Sequence, residues 1–268
     1  MPPRRDPLLR IAVGIEYDGS AYAGWQAQDS VPTLQRVCER ALGQVAAEPV
    51  SLTCAGRTDA GVHAAGQVAH FDPDATRSLR GWVLGANGEL PRDASITWAL
   101  PVPGHFHARY CAEARTYRYL ISNRLARPAL LAQRAAWIHR PLDEERMQRA
   151  AQALLGEHDF SAFRAAECQA KSPIRRMERV QVERAGDFIV IEATANAFLH
   201  HMMRNIAGLL MAIGRGDAPV EYAREVLLGR DRTRNAATAP AAGLYLLAVR
   251  YPSPFGIPAP ASPGVFPA

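Results

Sequence analysis

Ten residues, AGRTDAGVHA at 55–64, set Arg57, Asp59 and His63 among small neighbours. A core segment would carry Leu, Ile or Val there. A plain solvated turn has no use for both the charges and the glycines. Gly56 and Gly61 permit tight backbone paths, so a ligand can come close to the chain. Arg57 stands two residues from Asp59. Nearby positive charge keeps a carboxylate ionised, and an ionised carboxylate can act as base or nucleophile. The same residues also make an ordinary Asx turn, with Arg57 paired to Asp59 and no chemistry implied. Spacing alone leaves both readings open.

Three further segments carry groups of chemical interest. In EARTYRYLI, 113–121, strand geometry puts Tyr117, Tyr119 and Ile121 on one face and Thr116, Arg118 and Leu120 on the other. Aromatics between arginines suit a nucleic acid, with guanidinium groups on phosphates and rings on bases. A half-buried strand with an arginine-rich outer face accounts for them equally. In NAFLHHMMRNIAG, 196–208, His200 and Arg204 are four apart and share a helical face. A zinc site would want two histidines at that spacing with an acid between them, which is absent, and adjacent histidines point to different faces. No metal site is expected. A buried arginine needs an anionic partner, and Asp59 is the candidate if the two segments meet. GLYLLAVRY, 243–251, reads as a core strand, preceded by small residues (ATAPAAG) able to line a pocket.

Some chemistries lack their signatures. No Walker loop or GxGxxG opens a helix, and no serine nucleophile elbow is present. Lys171 is the only lysine and sits in a polar connector, QAKSPIRR, which disfavours imine chemistry. A metal-dependent hydrolase would have to be assembled from Asp59, His63 and His70. His63 is otherwise expected to be structural.

The elements that must hold these groups follow from periodicity. IAVGIEYDG (11–19) reads as a strand, SAYAGWQAQDS as a loop, and TLQRVCERALGQVA (33–46) as a helix capped by Thr33. VSLTCAG (50–56) and GQVAHFD (66–72) read as strands, so the Asp59 loop is held at both ends. A short helix (LRGWVLGANGELP) and a strand (ASITWALPV) follow. PVPGH, 101–105, breaks both periodic patterns and reads as a linker. Beyond it come the strand ARTYRYLIS, a helix over 143–155, and a hairpin around Ala185-Gly186-Asp187. FLHHMMRNIAGLLMAIG reads as one long helix, VEYAREVLL as another, and GLYLLAVRY as the last strand. The proline-rich PSPFGIPAPASPGVFPA reads as an extended tail. Strands and helices mix without regular alternation, which indicates α+β with antiparallel sheets. The expected division is an α/β domain over 1–105 carrying the Asp59 loop, a second over 106–251, and the tail over 252–268.

The 268 residues include 31 basic against 26 acidic side chains, for a net charge of +5. Such a balance hints at a polyanionic partner, gripped by always-charged guanidinium forks. Arg77, Arg80, Arg109, Arg115 and Arg175 are candidate phosphate contacts. Four cysteines at 38, 54, 111 and 168 form no CxxC pair, which argues against a zinc ribbon or disulfide scaffold and fits a reducing cytoplasm. The leading MPPRRDPLLR lacks a signal peptide's apolar core, and the longest apolar run, IAGLLMAIG, is too short for a bilayer, so no membrane partner is expected.

Taken together, IEYDGSAYAGWQ, AGRTDAGVHAAGQVAHF, ARTYRYLI, LLGEHDFSAFR, NAFLHHMMRNIAG and GLYLLAV occur in an order and spacing that resembles the tRNA pseudouridine synthase A family over nearly the whole chain. The resemblance implies a fold of two α/β domains, each on an antiparallel sheet flanked by helices, with the active site in the cleft between them. It implies a homodimer acting on tRNA, where uridines 38, 39 and 40 of the anticodon stem-loop become pseudouridine without metal or organic cofactor. Asp59 falls on the family's catalytic aspartate. Its first act is open among attack on the sugar C1′, addition to the base, and proton removal from C2′. Arg57 falls on the arginine that extrudes the base. Tyr117 falls on the tyrosine that packs on the uracil, Arg204 on the basic partner of the aspartate, and Leu244 on an apolar contact to the base.

Overall fold

The computed structural model describes residues 10–259. The chain divides into two compact units. Among the described residues, one holds 10–113 and 246–259; the other is Ala114–Tyr245. Both mix helices with mostly antiparallel sheet, the α+β class read from the sequence.

The first unit begins with β1 (Arg10–Tyr17), then α1 (Leu34–Ala46), the short β2 (Thr53–Cys54) and β3 (His63–Phe71). After them come α2 (Leu79–Glu89) and β4 (Ala94–Val102). β1 is the central strand, antiparallel to β3 on one side and β4 on the other. Its apolar run Ile11–Ile15 is fully buried, as a strand covered on both faces requires. Pairing with β3 shifts register between Ile15 and Tyr17. The extra residue lies in β3, between Ala64 and Gln67, while β1 keeps its alternation and Tyr17 follows Ile15 on one face. α1 buries Leu34, Cys38, Ala41, Leu42 and Ala46 at helical spacing. Thr33 precedes it with extended backbone, but its hydroxyl caps nothing and is buried without a partner.

The second unit begins with β5 (Ala114–Asn123) and the three-residue β6 (Ala136–Ile138), which runs parallel to it. Next are α3 (Glu144–Ala151), β7 (Gly156–Asp159), β8 (Ile174–Ala185) and β9 (Phe188–Ala195). The strand order is β5-β9-β8-β7, antiparallel throughout. β8 and β9 form the expected hairpin, with Gly186 at φ 59° in its two-residue turn. Asp143 caps α3, accepting from the Arg146 N–H at 2.9 Å. α4 (Met202–Gly214) is the buried spine of this unit, with every residue buried except Arg204. α5 (Tyr222–Gly229) follows. β10 (Leu244–Arg250) ends the unit at Tyr245 and returns the chain to the first unit at Leu246.

Three local expectations are corrected. PVPGH does not separate the units: Pro101 and Val102 end β4, and the division falls at Glu113/Ala114. Pro101 is tolerated there because β4 is an edge strand. The helix expected over Phe198–Gly214 starts only at Met202, because His201 adopts a left-handed φ of 61°. The tail's first residues pack rather than trail. The Phe255 ring meets Phe106 at 5.1 Å and His105 at 5.5 Å, and just before the tail the Tyr251 hydroxyl donates to the Ala108 carbonyl at 2.6 Å. Residues 260–268 of the tail, and the leading residues 1–9, lie outside the described residues. Among the described residues, no helix is long and apolar enough to cross a membrane.

Candidate active site

The Asp59 loop leaves β2 at Cys54 and enters β3 at His63, so two strands anchor its ends. Its middle is held by the segment between β1 and α1. The Trp25 N–H donates to the Thr58 carbonyl at 2.9 Å, and the Gly61 N–H donates to the Tyr22 carbonyl at 3.4 Å. The Val62 N–H closes the turn on the Asp59 carbonyl at 3.1 Å. Two glycines let these backbones meet. A Cβ at Gly24, where φ is +102°, would lie 2.7 Å from the Thr58 carbonyl oxygen. A Cβ at Gly19 would lie 2.0 Å from that of Val62. Gly61 itself has φ 76°. IEYDGSAYAGWQ is therefore the bed on which AGRTDAGVHA lies.

Within this bed Thr58 is buried, Asp59 half-buried and Arg57 exposed. A carboxylate and a guanidinium two residues apart thus stand at different depths on one rigid loop. His63 is 1% exposed, and its Nδ1 accepts from the Gly19 N–H at 3.1 Å, with Asp18 Oδ1 also at 3.1 Å. It braces the bed, as expected of a structural histidine. His70 is likewise committed, its Nδ1 accepting from the Ala108 N–H at 3.2 Å. Burial lowers its pKa to about 4, and Arg10 and His107 add to the effect. With both rings tied to backbone, a hydrolase built from Asp59, His63 and His70 loses its support. Cys38 and Cys54 offer no thiolate, since burial pushes both up to about 12.

In the second unit, Tyr117 lies in β5 at 9% exposure, its ring edge-on to Phe198 at 4.8 Å. Tyr119 and Ile121 share its face and are fully buried. On the opposite face Arg118 pairs with Glu192 across the sheet at 2.8 Å, and Thr116 bonds Thr194 at 2.9 Å. That face is a cross-strand ladder, so Arg118 belongs to the sheet rather than to a row of phosphate contacts. The Arg204 Nε donates to the Ala239 carbonyl at 2.9 Å, and the Ala239 N–H donates to the Arg204 carbonyl at 3.1 Å. Leu244, 5% exposed, opens β10.

One segment, 235–243, ties Arg204 to the strand of Tyr117. Ala239 grips Arg204, and the Tyr119 hydroxyl donates to the Pro240 carbonyl at 2.7 Å. Gly243 lies against the Tyr119 ring and the Leu120 carbonyl, where any Cβ would come within 3.0 Å. Gly208 of α4 admits the Ala237 carbonyl, which a Cβ would meet at 2.0 Å. Buried Asn205 completes the attachment. Its Oδ1 accepts from Thr238 Oγ1 at 2.7 Å and Arg232 Nη2 at 3.0 Å, and its Nδ2 donates to the Phe163 carbonyl at 2.7 Å. The small residues of ATAPAAG thus fit against a helix and a strand. Asn205, Arg232 and Thr238 were not singled out from the sequence. The available signal was an asparagine beside Arg204 inside the run MMRNIAGLL, whose other residues are apolar or glycine.

His200 precedes α4, so it does not share a helical face with Arg204. The left-handed His201 folds the two imidazoles together at 4.1 Å, instead of pointing them apart. Among the candidate phosphate contacts, Arg77 donates to the Val45 carbonyl at 3.0 Å near the C-terminus of α1. Arg115 donates to the Asn196 carbonyl at 3.0 Å, and Arg175 to the Ser172 carbonyl at 2.9 Å.

The family described as tRNA pseudouridine synthase matches residues 14–111 and 150–252. Tyr17, the Asp59 loop, Arg204 and Leu244 all fall inside the matched stretches, whereas Tyr117 falls between them. The chain is 57% identical to "tRNA pseudouridine synthase A" of Pseudomonas aeruginosa over 252 residues, covering 94% of this chain and 88% of the relative. It is 54% identical to the protein of that name from Cronobacter sakazakii, covering 95% and 94%. A Coxiella burnetii protein of the same name is 54% identical, covering 94% and 96%.

Proposed function

The chain belongs to the tRNA pseudouridine synthase A family and is an isomerase that converts uridine to pseudouridine in tRNA, and on that premise we propose which uridines it modifies and which side chains act. The targets are positions 38, 39 and 40 of the anticodon stem-loop. The uracil leaves the ribose through N1 and rejoins through C5, so the C5 proton passes to solvent and the nucleotide keeps its composition. A stacked, paired uracil hides both atoms, so the nucleotide must first be everted. Arg57, exposed beside Asp59, displaces the base and fills its space. Asp59 is the reacting carboxylate. Tyr117 packs on the everted uracil and assists loss of the C5 proton. Arg204 supplies countercharge to the carboxylate, and Leu244 an apolar contact to the base. The N-terminal domain thereby carries the reacting loop, and the C-terminal domain supplies the remaining contacts. The chemistry so written calls for no metal and no organic cofactor. The working form is a homodimer in the cytoplasm.

The observation that carries this reading is the loop itself: a half-buried carboxylate and an exposed guanidinium two residues apart, on a backbone clamped by Trp25, Tyr22, Gly19 and Gly24. A mere Asx turn needs no such bed. The test is incubation of the purified protein with unmodified tRNA tritiated at uracil C5, with a chelator present, followed by mapping of modified positions. Tritium release with pseudouridine at 38, 39 or 40 is expected. Pseudouridine formed only outside the anticodon arm would overturn the proposed targets, and a need for metal would overturn the cofactor-free chemistry.

A further inference from the structure

Gln67 is fully buried in β3, where an amide without partners would be costly. Its Nε2 donates to the Gly56 carbonyl at 2.6 Å and lies 3.5 Å from Tyr17 Oη. Its Oε1 accepts from the Val68 N–H at 3.2 Å. An amide nitrogen only donates, so toward Gln67 the tyrosine oxygen is the acceptor. The same oxygen is hydrogen-bonded to Thr58 Oγ1, 2.8 Å away. Tyr17 and Thr58 are themselves 5% and 6% exposed. The register shift beside Tyr17 comes from an extra residue in β3, between Ala64 and Gln67, the stretch that leads out of the loop.

We propose that Tyr17, Thr58 and Gln67 form a relay of positioning residues that sets the Arg57–Asp59 loop for reaction, an inference that rests on Asp59 being the reacting group. The relay grips Gly56 and Thr58, the residues on either side of Arg57, and Thr58 directly precedes Asp59. Thr58 is fixed twice, through its hydroxyl by Tyr17 and through its carbonyl by Trp25. Phe at 17, Val at 58 and Leu at 67 would fill the same volume with apolar contacts alone. Packing resists compression but orients weakly, whereas hydrogen bonds fix direction, and a reacting group misplaced by about 1 Å costs roughly 10²-fold in rate. The polar relay is therefore placed where angular precision matters to the reaction.

The test uses the full-length variants Tyr17→Phe, Thr58→Val, Thr58→Ser and the double variant Tyr17→Phe/Thr58→Val. Single-turnover tritium release and tRNA affinity are measured separately, at a temperature where thermal unfolding shows each variant folded. Tyr17→Phe and Thr58→Val are expected to slow release about tenfold or more while affinity stays within about twofold. The double variant should be no slower than the slower single, since both changes break one bond. Thr58→Ser, which keeps the hydroxyl, should recover most of the rate. Wild-type rates in both single variants, multiplicative losses in the double, or a Thr58→Ser enzyme as slow as Thr58→Val would each overturn the relay. Release that survives in Asp59→Asn would instead remove the premise, and that outcome is distinguishable because it does not involve Tyr17 or Thr58.

Discussion

His70 and Asp72 flank one position of β3, and both lie beside Arg10, whose Nε and Nη2 hold the Asp72 carboxylate at 2.7 and 2.6 Å. Burial, reinforced by Arg10 and His107, keeps the His70 imidazole neutral down to about pH 4. In the unfolded chain it takes a proton near pH 6.5. Between those values the unfolded state binds a proton that the folded state refuses, so stability is full above pH 6.5 and is lost as pH falls toward 4. The expected loss is about 2 kcal/mol, less than the whole shift would give because Arg10 and Asp72 are partly wet. Urea unfolding at pH 7 and pH 5, with the His70 ring followed by NMR, checks it; an imidazole titrating near 6.5 would contradict it. At this scale the sequence was legible where small residues surround charged ones, as at Arg57 and Asp59. It was opaque at Gln67 and Asn205. A polar residue in a strand or helix is expected to face water, and only the folded chain reveals that both are buried and fully engaged.

Among elements, the Asp59 loop and its glycine bed are the decisive pairing. Gly24→Ala should cost about 2 kcal/mol or more, because it combines a left-handed backbone with a Cβ 2.7 Å from the Thr58 carbonyl oxygen. Gly88→Ala, in α2 with nothing within 4 Å, should be neutral or stabilising by about 0.5 kcal/mol. Urea unfolding of the two variants decides; equal stabilities would show that the bed does not hold the loop. Strands and helices were largely legible because their periodicity is local: the 33–46 pattern corresponds to α1, and the Ala185-Gly186-Asp187 signal to the β8–β9 hairpin. The start of α4 was not legible. MMRNIAGLLMAIG continues a helical pattern backward through the histidines, and only the left-handed turn at His201 interrupts it. Nor could spacing reveal that Gly19 and Gly24 serve residues some 35 to 43 positions further on, at Asp59 and Val62.

At the scale of the molecule, the division into units depends on contacts far apart in sequence. The return of β10 from Leu246 to the first unit has no local signature, whereas a proline- and glycine-bearing turn such as PVPGH looks like a boundary wherever it falls. Composition speaks more directly to partners. With 31 basic side chains, all but one of them arginine, tRNA affinity should fall steeply with salt. The loss should be roughly 10³-fold between 50 and 200 mM if about six phosphates are neutralised. A filter-binding titration measures it, and a flat curve would remove the electrostatic part of recognition. The most direct test of the account is Asp59→Asn, assayed for tritium release from tRNA labelled at uracil C5 alongside tRNA binding. The account predicts that binding persists and release is abolished. Release continuing at the wild-type rate would contradict it.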